Sequence, residues 1–170
     1  MTIHDFDMVR FFLPEIVEVS AAVQNVIDPF IKEAGDFDGA ITTLRAANGA
    51  VATIVNSRRC TFGYDQRLEV FGSLGMLQAA NLLPTSVRSY GTDHAERTAP
   101  YLNFFLERYT DAYARELAAF VEAVQTGAPL SPGLDDGRQA LALADAAEVS
   151  ARTGRTVSMQ AAAEPAAAGK

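Results

Sequence analysis

Between Asp38 and Gly75 the apolar positions alternate with polar ones in three extended runs, and an Asn48-Gly49 pair separates the first two. Asn-Gly between alternating runs is a strong hairpin signal, because a type I′ turn needs positive φ at both central residues and these two residue types tolerate it best. Such a turn sets Ala47 opposite Ala50. With that register Thr42, Leu44, Val51, Thr53 and Val55 share one face, suited to a core. Ile41, Thr43, Arg45, Ile54, Asn56 and Arg58 share the other, which is left for a partner or ligand, since strand side chains alternate with period two.

The same pattern reading extends along the chain. Residues 2–13 predict a helix, with Ile3, Phe6, Val9 and Leu13 on one stripe and Thr2 as its cap. Residues 16–23 are rich in β-branched side chains and predict a strand; residues 25–36, with Pro29 and Gly35, predict a loop. Two short strands, 67–71 and 76–80, flank Gly72-Ser73-Leu74-Gly75, and a third is predicted at 86–90. Residues 92–98 predict a polar loop with His94 exposed. The strongest helical periodicity lies in residues 101–126, where Leu102, Phe105, Tyr109, Tyr113, Leu117, Phe120 and Val124 recur at helical spacing before Gly127. That helix is expected to bury its aromatic stripe across the sheet. A second helix is predicted at 135–153 and an edge strand at 156–159.

Strands in one block and helices in another are the α+β pattern: a mainly antiparallel open sheet with helices packed on one face. The reading is one domain, residues 1–159, and a disordered tail, residues 160–170, which is nearly all alanine. No Rossmann domain is present in the pattern. The uncovered face, with Ile41 and Ile54 on it, predicts a homo-oligomer, dimer or tetramer, formed through the sheet.

Charge and composition narrow the function. A net charge of -7 and the absence of a basic stripe argue against nucleic acid and against an anionic membrane surface as partners. No apolar run approaches the roughly 20 residues that span a bilayer, and the start, with His4, Asp5 and Asp7, does not read as a signal peptide. A cytoplasmic protein is expected. The single cysteine, Cys60, excludes an internal disulfide and a multi-cysteine zinc site, and no other metal set is read from the sequence.

Two places hold candidate chemistry. His4 is a candidate general acid or base because imidazole titrates near neutral pH, although a lone histidine is more often structural. The polar corner after the hairpin contributes Arg58, Arg59, Tyr64, Asp65 and Arg67, a mixture able to hold the hydroxyls of a sugar-like or polyol substrate. Its plainer reading is a charged bend with Asp65 paired to an arginine.

Three motifs in order, Ile3-His4-Asp5-Phe6-Asp7, Asn56-Ser57-Arg58-Arg59, and Gly63-Tyr64-Asp65-Gln66-Arg67 followed by Glu69-Val70-Phe71-Gly72-Ser73, tip the balance. Together with Phe104-Phe105-Leu106-Glu107-Arg108-Tyr109 they resemble the C-terminal domain of the glucose-fructose oxidoreductase and inositol dehydrogenase family over residues 1–159. The resemblance implies an NAD- or NADP-dependent polyol dehydrogenase whose cofactor is bound by an N-terminal Rossmann domain that this chain lacks, and whose C-terminal sheet mediates oligomer contacts. It implies that His4 is the catalytic base, acting with a lysine and an aspartate that fall before Met1. Tyr64 is implied as a substrate contact and Tyr109 as a cleft residue. Hydride transfer needs the cofactor held close to the substrate carbon, so this chain alone is expected to be inactive. The alternative is a non-catalytic oligomeric interaction module on the same fold.

Overall fold

The computed structural model describes residues 2–13 and 15–159, so the expectation for residues 160–170 lies outside the described residues. In chain order the elements are α1 (Ile3–Phe12), β1 (Ile16–Gln24), α2 (Pro29–Glu33), β2 (Gly39–Ala46), β3 (Val51–Ser57), β4 (Leu68–Gly72), β5 (Gly75–Ala79), β6 (Arg88–Gly91), β7 (His94–Thr98), α3 (Phe105–Arg108), α4 (Thr110–Thr126), α5 (Leu134–Thr153) and β8 (Val157–Ser158). They group into two compact units, one built from the chain up to Arg59 and from Ser131 onward, the other from Cys60–Leu130. No helix of the described residues is long and apolar enough to cross a membrane.

The first unit is a four-stranded sheet in the order β3-β2-β1-β8, every pairing antiparallel. The α+β expectation and the edge strand near residue 157 hold. Helices cover one face. Phe6 of α1, Val19, Leu44 and Ile54 of the sheet, and Leu143, Ala146 and Ala147 of α5 form its buried core. Small residues at Ala146, Ala147 and Ser150 let α5 lie close to the sheet, which suits close packing in a core this thin.

The hairpin register differs by one residue from the expected one. Ala46 N–H donates to Ala50 O at 2.8 Å and Gly49 N–H to Ala46 O at 2.9 Å, so Ala47, Asn48 and Gly49 form a three-residue loop and Arg45 pairs with Val51. Only Gly49 takes positive φ, at 87°; Asn48 instead accepts the Ala50 N–H on its side chain at 3.0 Å. That is the type I turn with a left-handed glycine rather than type I′. A one-residue slip reverses a whole strand. Ala52, Ile54 and Asn56 therefore face the helices, whereas Val51, Thr53 and Val55 join Ile41, Thr43 and Arg45 on the outer face. The physical reason is burial: Ile54 completes the cluster around Val19 and Leu44, which Val51 and Val55 were expected to do.

Ser150 closes an edge. β8 pairs with β1 only at Glu18 and Val19, and beyond it the Ala21 N–H donates to Ser150 Oγ at 2.9 Å. Ser150→Ala would leave that donor without a partner beneath α5. The expected cost is about 1–3 kcal/mol of stability, read as a lower urea midpoint with an unchanged slope.

The second unit holds two hairpins, β4–β5 and β6–β7, with α3 and α4. Of the polar loop expected at residues 92–98, residues 92–93 form a turn and residues 94–98 are strand β7. His94 is not exposed as expected: its side chain is 16% accessible, with Nδ1 at 2.5 Å from Asp93 Oδ1 and Nε2 at 2.9 Å from Ser89 Oγ. The single helix expected at 101–126 is shorter and broken. Leu102 lies outside any helix, its carbonyl accepting the Tyr64 N–H at 2.8 Å, and Tyr109 leaves helical geometry at φ -108° and ψ 11° between α3 and α4. Gly127 ends α4 in the left-handed conformation, as its position suggested. The aromatic stripe of α4 is not a core: none of its residues is buried. The loop expected at 25–36 contains the short α2, capped by Asp28 Oδ1 accepting the Phe30 N–H at 3.0 Å.

Candidate functional site

His4 stands in the first turn of α1, exposed, and is followed by a half-buried Asp5 and the buried Phe6. Thr2 makes no side-chain cap there, contrary to expectation; its carbonyl accepts the N–H groups of Asp5 and Phe6 at 3.0 and 3.1 Å. Further along α1, Arg10 reaches α5, donating to Asp136 O at 3.1 Å and Asp136 Oδ1 at 3.3 Å. Asp136 also accepts the Gly133 N–H at 2.8 Å, and this bond with Arg10 holds its carboxyl below the ordinary range against the opposing effect of burial. These contacts tie the C-terminal half of α1 to the start of α5.

Arg58 follows the last residue of β3 and is already engaged. Its Nε donates to Phe37 O at 3.0 Å, its Nη2 to Asp36 Oδ2, and its backbone N–H to Asp38 O at 2.9 Å. It works as a clamp on residues 36–38. Beside it lies Asp38, 1% accessible, whose Oδ2 accepts from Ile27 N at 2.7 Å and Asp28 N at 3.1 Å. Burial by itself pushes the Asp38 carboxyl up, but the N–H groups of Ile27, Asp28 and Val26, helped by the Arg58 charge, outweigh it and hold the carboxyl below its ordinary 3.8.

The sign of the consequence follows from linkage. The unfolded chain takes up a proton at Asp38 near the ordinary 3.8, while the folded chain resists until lower pH. The stabilisation is complete above that value and is lost as pH falls through the folded value. Asp38→Asn is expected to be less stable at neutral pH and to show a shallower loss of stability on the acid side, measured by urea titration across pH.

The second unit brings Tyr64 and Tyr109 together. Their rings meet edge to face with centroids 5.8 Å apart, and Tyr113 continues the row 6.2 Å from Tyr109. The Arg108 guanidinium lies 5.6 Å from the Tyr109 ring centroid. Gly63 makes this possible: its φ is 120°, and a Cβ there would approach Leu102 O and Tyr101 Cβ to 3.0 Å. Asp65 follows Tyr64 but turns to a different set of partners. It accepts from Arg67 Nε at 2.8 Å, Arg67 Nη2 at 2.9 Å and Asn81 Nδ2 at 2.6 Å. The Arg67 bond first, and Asn81 after it, hold the Asp65 carboxyl below its ordinary value, and Asp65 in turn raises Arg67. Asp65 is a fixed anion bracing the bend, not a group that exchanges protons near neutral pH.

The structure sets the Tyr64 ring beside that of Tyr109, while Arg58 and Asp65 spend hydrogen bonds on the chain itself. Asp38 and Ser150 escaped the sequence reading, and Asn56 was placed on the wrong face of the sheet. For Asn56 the missed signal was the hairpin register; Asp38 and Ser150 gave none that distinguishes them from surface polar residues.

A dinucleotide pyrophosphate does not fit the described residues. The connections from β1 to α2 and from β7 to α3 contain no glycine, and α5 begins with Asp135 and Asp136, whose charges oppose a phosphate at that helix end. Among the described residues no group of three or more His, Cys, Asp or Glu is placed to hold a metal ion.

The antiparallel sheet backed by helices and the hairpin-bearing unit are of a mixed α/β class. The family described as "Oxidoreductase family, C-terminal alpha/beta domain" matches residues 1–159, and the chain belongs to it. The inositol 2-dehydrogenase of Rhizobium meliloti is 48% identical over 160 residues, covering 94% of this chain and 48% of the relative. A crystal structure of a myo-inositol dehydrogenase from Corynebacterium glutamicum superposes with a TM-score of 0.91 at 52% identity, over 98% of this chain and 49% of that one. A scyllo-inositol dehydrogenase from Lactobacillus casei, solved with NAD(H) and scyllo-inositol, gives 0.85 at 26% identity over 94% and 47%. The chain therefore spans about half the length of the relatives it matches.

Proposed function

We propose that this chain is the substrate-binding half of an NAD- or NADP-dependent inositol or polyol dehydrogenase. The observation behind this reading is the 48% identity to an inositol 2-dehydrogenase across 94% of the chain. His4 is assigned as the base that takes the proton from the ring hydroxyl being oxidised. An exposed imidazole in a first helical turn, with its neighbours anchored, is suited to that work. Tyr64 and Tyr109, whose rings meet edge to face, are assigned as substrate contacts. Arg58 and Asp65 are assigned as further substrate contacts, each held in place by bonds to the chain itself. The nicotinamide cofactor, as hydride acceptor, is assigned to the remaining half of the relatives' length.

A second subunit is expected on the outer sheet face, where Ile41, Val51 and Val55 are all more than half exposed. This face also supports the alternative of a purely oligomeric module, and one experiment separates the two. Residues 1–159 joined behind the cofactor half of the Rhizobium relative are expected to reduce NAD with an inositol. The chain alone is expected to show no turnover and no saturable change of NADH fluorescence at micromolar concentrations; a saturable change would overturn the assignment of the cofactor to the other half.

A further inference from the structure

The side chain of Asn56 reaches from β3 to the residue next to His4. Its Nδ2 donates to Asp5 Oδ2 at 3.0 Å, linking positions 51 residues apart, and its Oδ1 is buried without a protein partner. We propose that Asp5 and Asn56 are positioning residues for His4, fixing the first turn of α1 at the edge of the sheet; this rests on the reading of His4 as the base.

The argument starts from the weakness of that turn. Helix ends leave their first N–H groups without intrahelical partners and fray unless something holds them. Here the Thr2 side chain caps nothing, and Thr2 O takes the N–H groups of both Asp5 and Phe6. The Arg10 bonds to Asp136 lie one to two turns away. Phe6 buries one side of the turn, but an apolar contact is non-directional and leaves rotation about it free. The Asn56 bond supplies the missing direction, because it is polar, part-buried and attached to an edge strand whose pairing with β2 runs through Asn56 itself. It exists because of the hairpin register: Asn56 shares the helix-facing side with Ile54, and the register expected from Asn-Gly would have turned it away. A base displaced by about 1 Å loses on the order of 100-fold in rate.

The test uses the restored enzyme and the 170-residue chain in parallel. In the restored enzyme Asn56→Ala is expected to lower kcat by roughly 10- to 100-fold with KM for the inositol changed by less than about threefold. Asn56→Asp sets two carboxylates together and is expected to be worse. The exchange Asp5→Asn with Asn56→Asp restores one donor and one acceptor, and is expected to recover most of the rate, which a loss of packing would not. In the chain alone, amide exchange at Asp5 and Phe6 is expected to quicken in Asn56→Ala and return in the exchanged pair. Unchanged kcat or unchanged exchange in Asn56→Ala, while His4→Ala is inactive, overturns the positioning role and leaves the base. Full activity of His4→Ala overturns the base itself, and the positioning role with it.

Discussion

His4→Ala in the restored enzyme is expected to lower kcat/KM for an inositol by roughly 10²- to 10⁴-fold, the range a lost general base usually costs. At 1.36 kcal/mol per decade this is about 3–5 kcal/mol of transition-state stabilisation. The size of the effect follows from what the side chain does in the fold, which is very little: His4 is exposed and makes no packing contribution to the core. Stability of the chain should therefore stay within about 0.5 kcal/mol of the parent, as for other surface substitutions. A large loss of rate with an unmoved urea midpoint is the signature of chemistry. A loss of rate that tracks a loss of stability would assign His4 to structure.

Phe6→Ala is expected to give the opposite signature. Phe6 is 2% accessible and is the residue by which α1 enters the core with Val19, Leu44 and Leu143. Removing a buried phenyl ring costs about 3–5 kcal/mol, the lost transfer energy plus the cavity that remains. Against a typical total of about 5–15 kcal/mol, that is a large part of the margin. The urea midpoint should fall steeply while the slope stays the same, and Phe6→Leu, closer in volume, should cost less than about 1.5 kcal/mol. Two positions of one helical turn would then separate cleanly, His4 as rate without stability and Phe6 as stability that rate follows.

Much of the architecture was legible because local signals and burial agree there. The stripe of α1, the alternation of β1, the acidic start and glycine end of α5, and the short edge strand near Val157 each obey a single periodicity. Where two signals compete, the sequence misleads. Asn48-Gly49 argued for a two-residue turn, yet burying Ile54 beside Leu44 requires the three-residue loop, and burial decided the register. The strong periodicity of residues 101–126 argued for one core helix; long-range hydrogen bonds to Leu102 hold its start outside any helix, and α4 presents its apolar side outward. Helical spacing shows that a stripe exists, not what covers it.

For the site, residue type was legible and partnership was not. Tyr64 and Tyr109 are 45 residues apart, and only the resemblance to a family named both; the fold brings their rings to 5.8 Å. Arg58 and Asp65 looked equally available in the sequence, but the first is committed to Asp36 and Phe37 and the second to Arg67 and Asn81. Asn56 was assigned to the outer face, and its bond to Asp5 became visible only with the corrected register. Side chains that act through other side chains are the last thing a sequence gives up, since nothing in their spacing names the partner.

The most direct measurement is steady-state NADH formation by the restored enzyme with an inositol as sole substrate, after circular dichroism and NADH titration have established that it is folded and binds cofactor. Inositol-dependent turnover that His4→Ala removes is the predicted result. A folded, NADH-binding enzyme that oxidises no inositol, or one that oxidises it equally well without His4, would contradict the account.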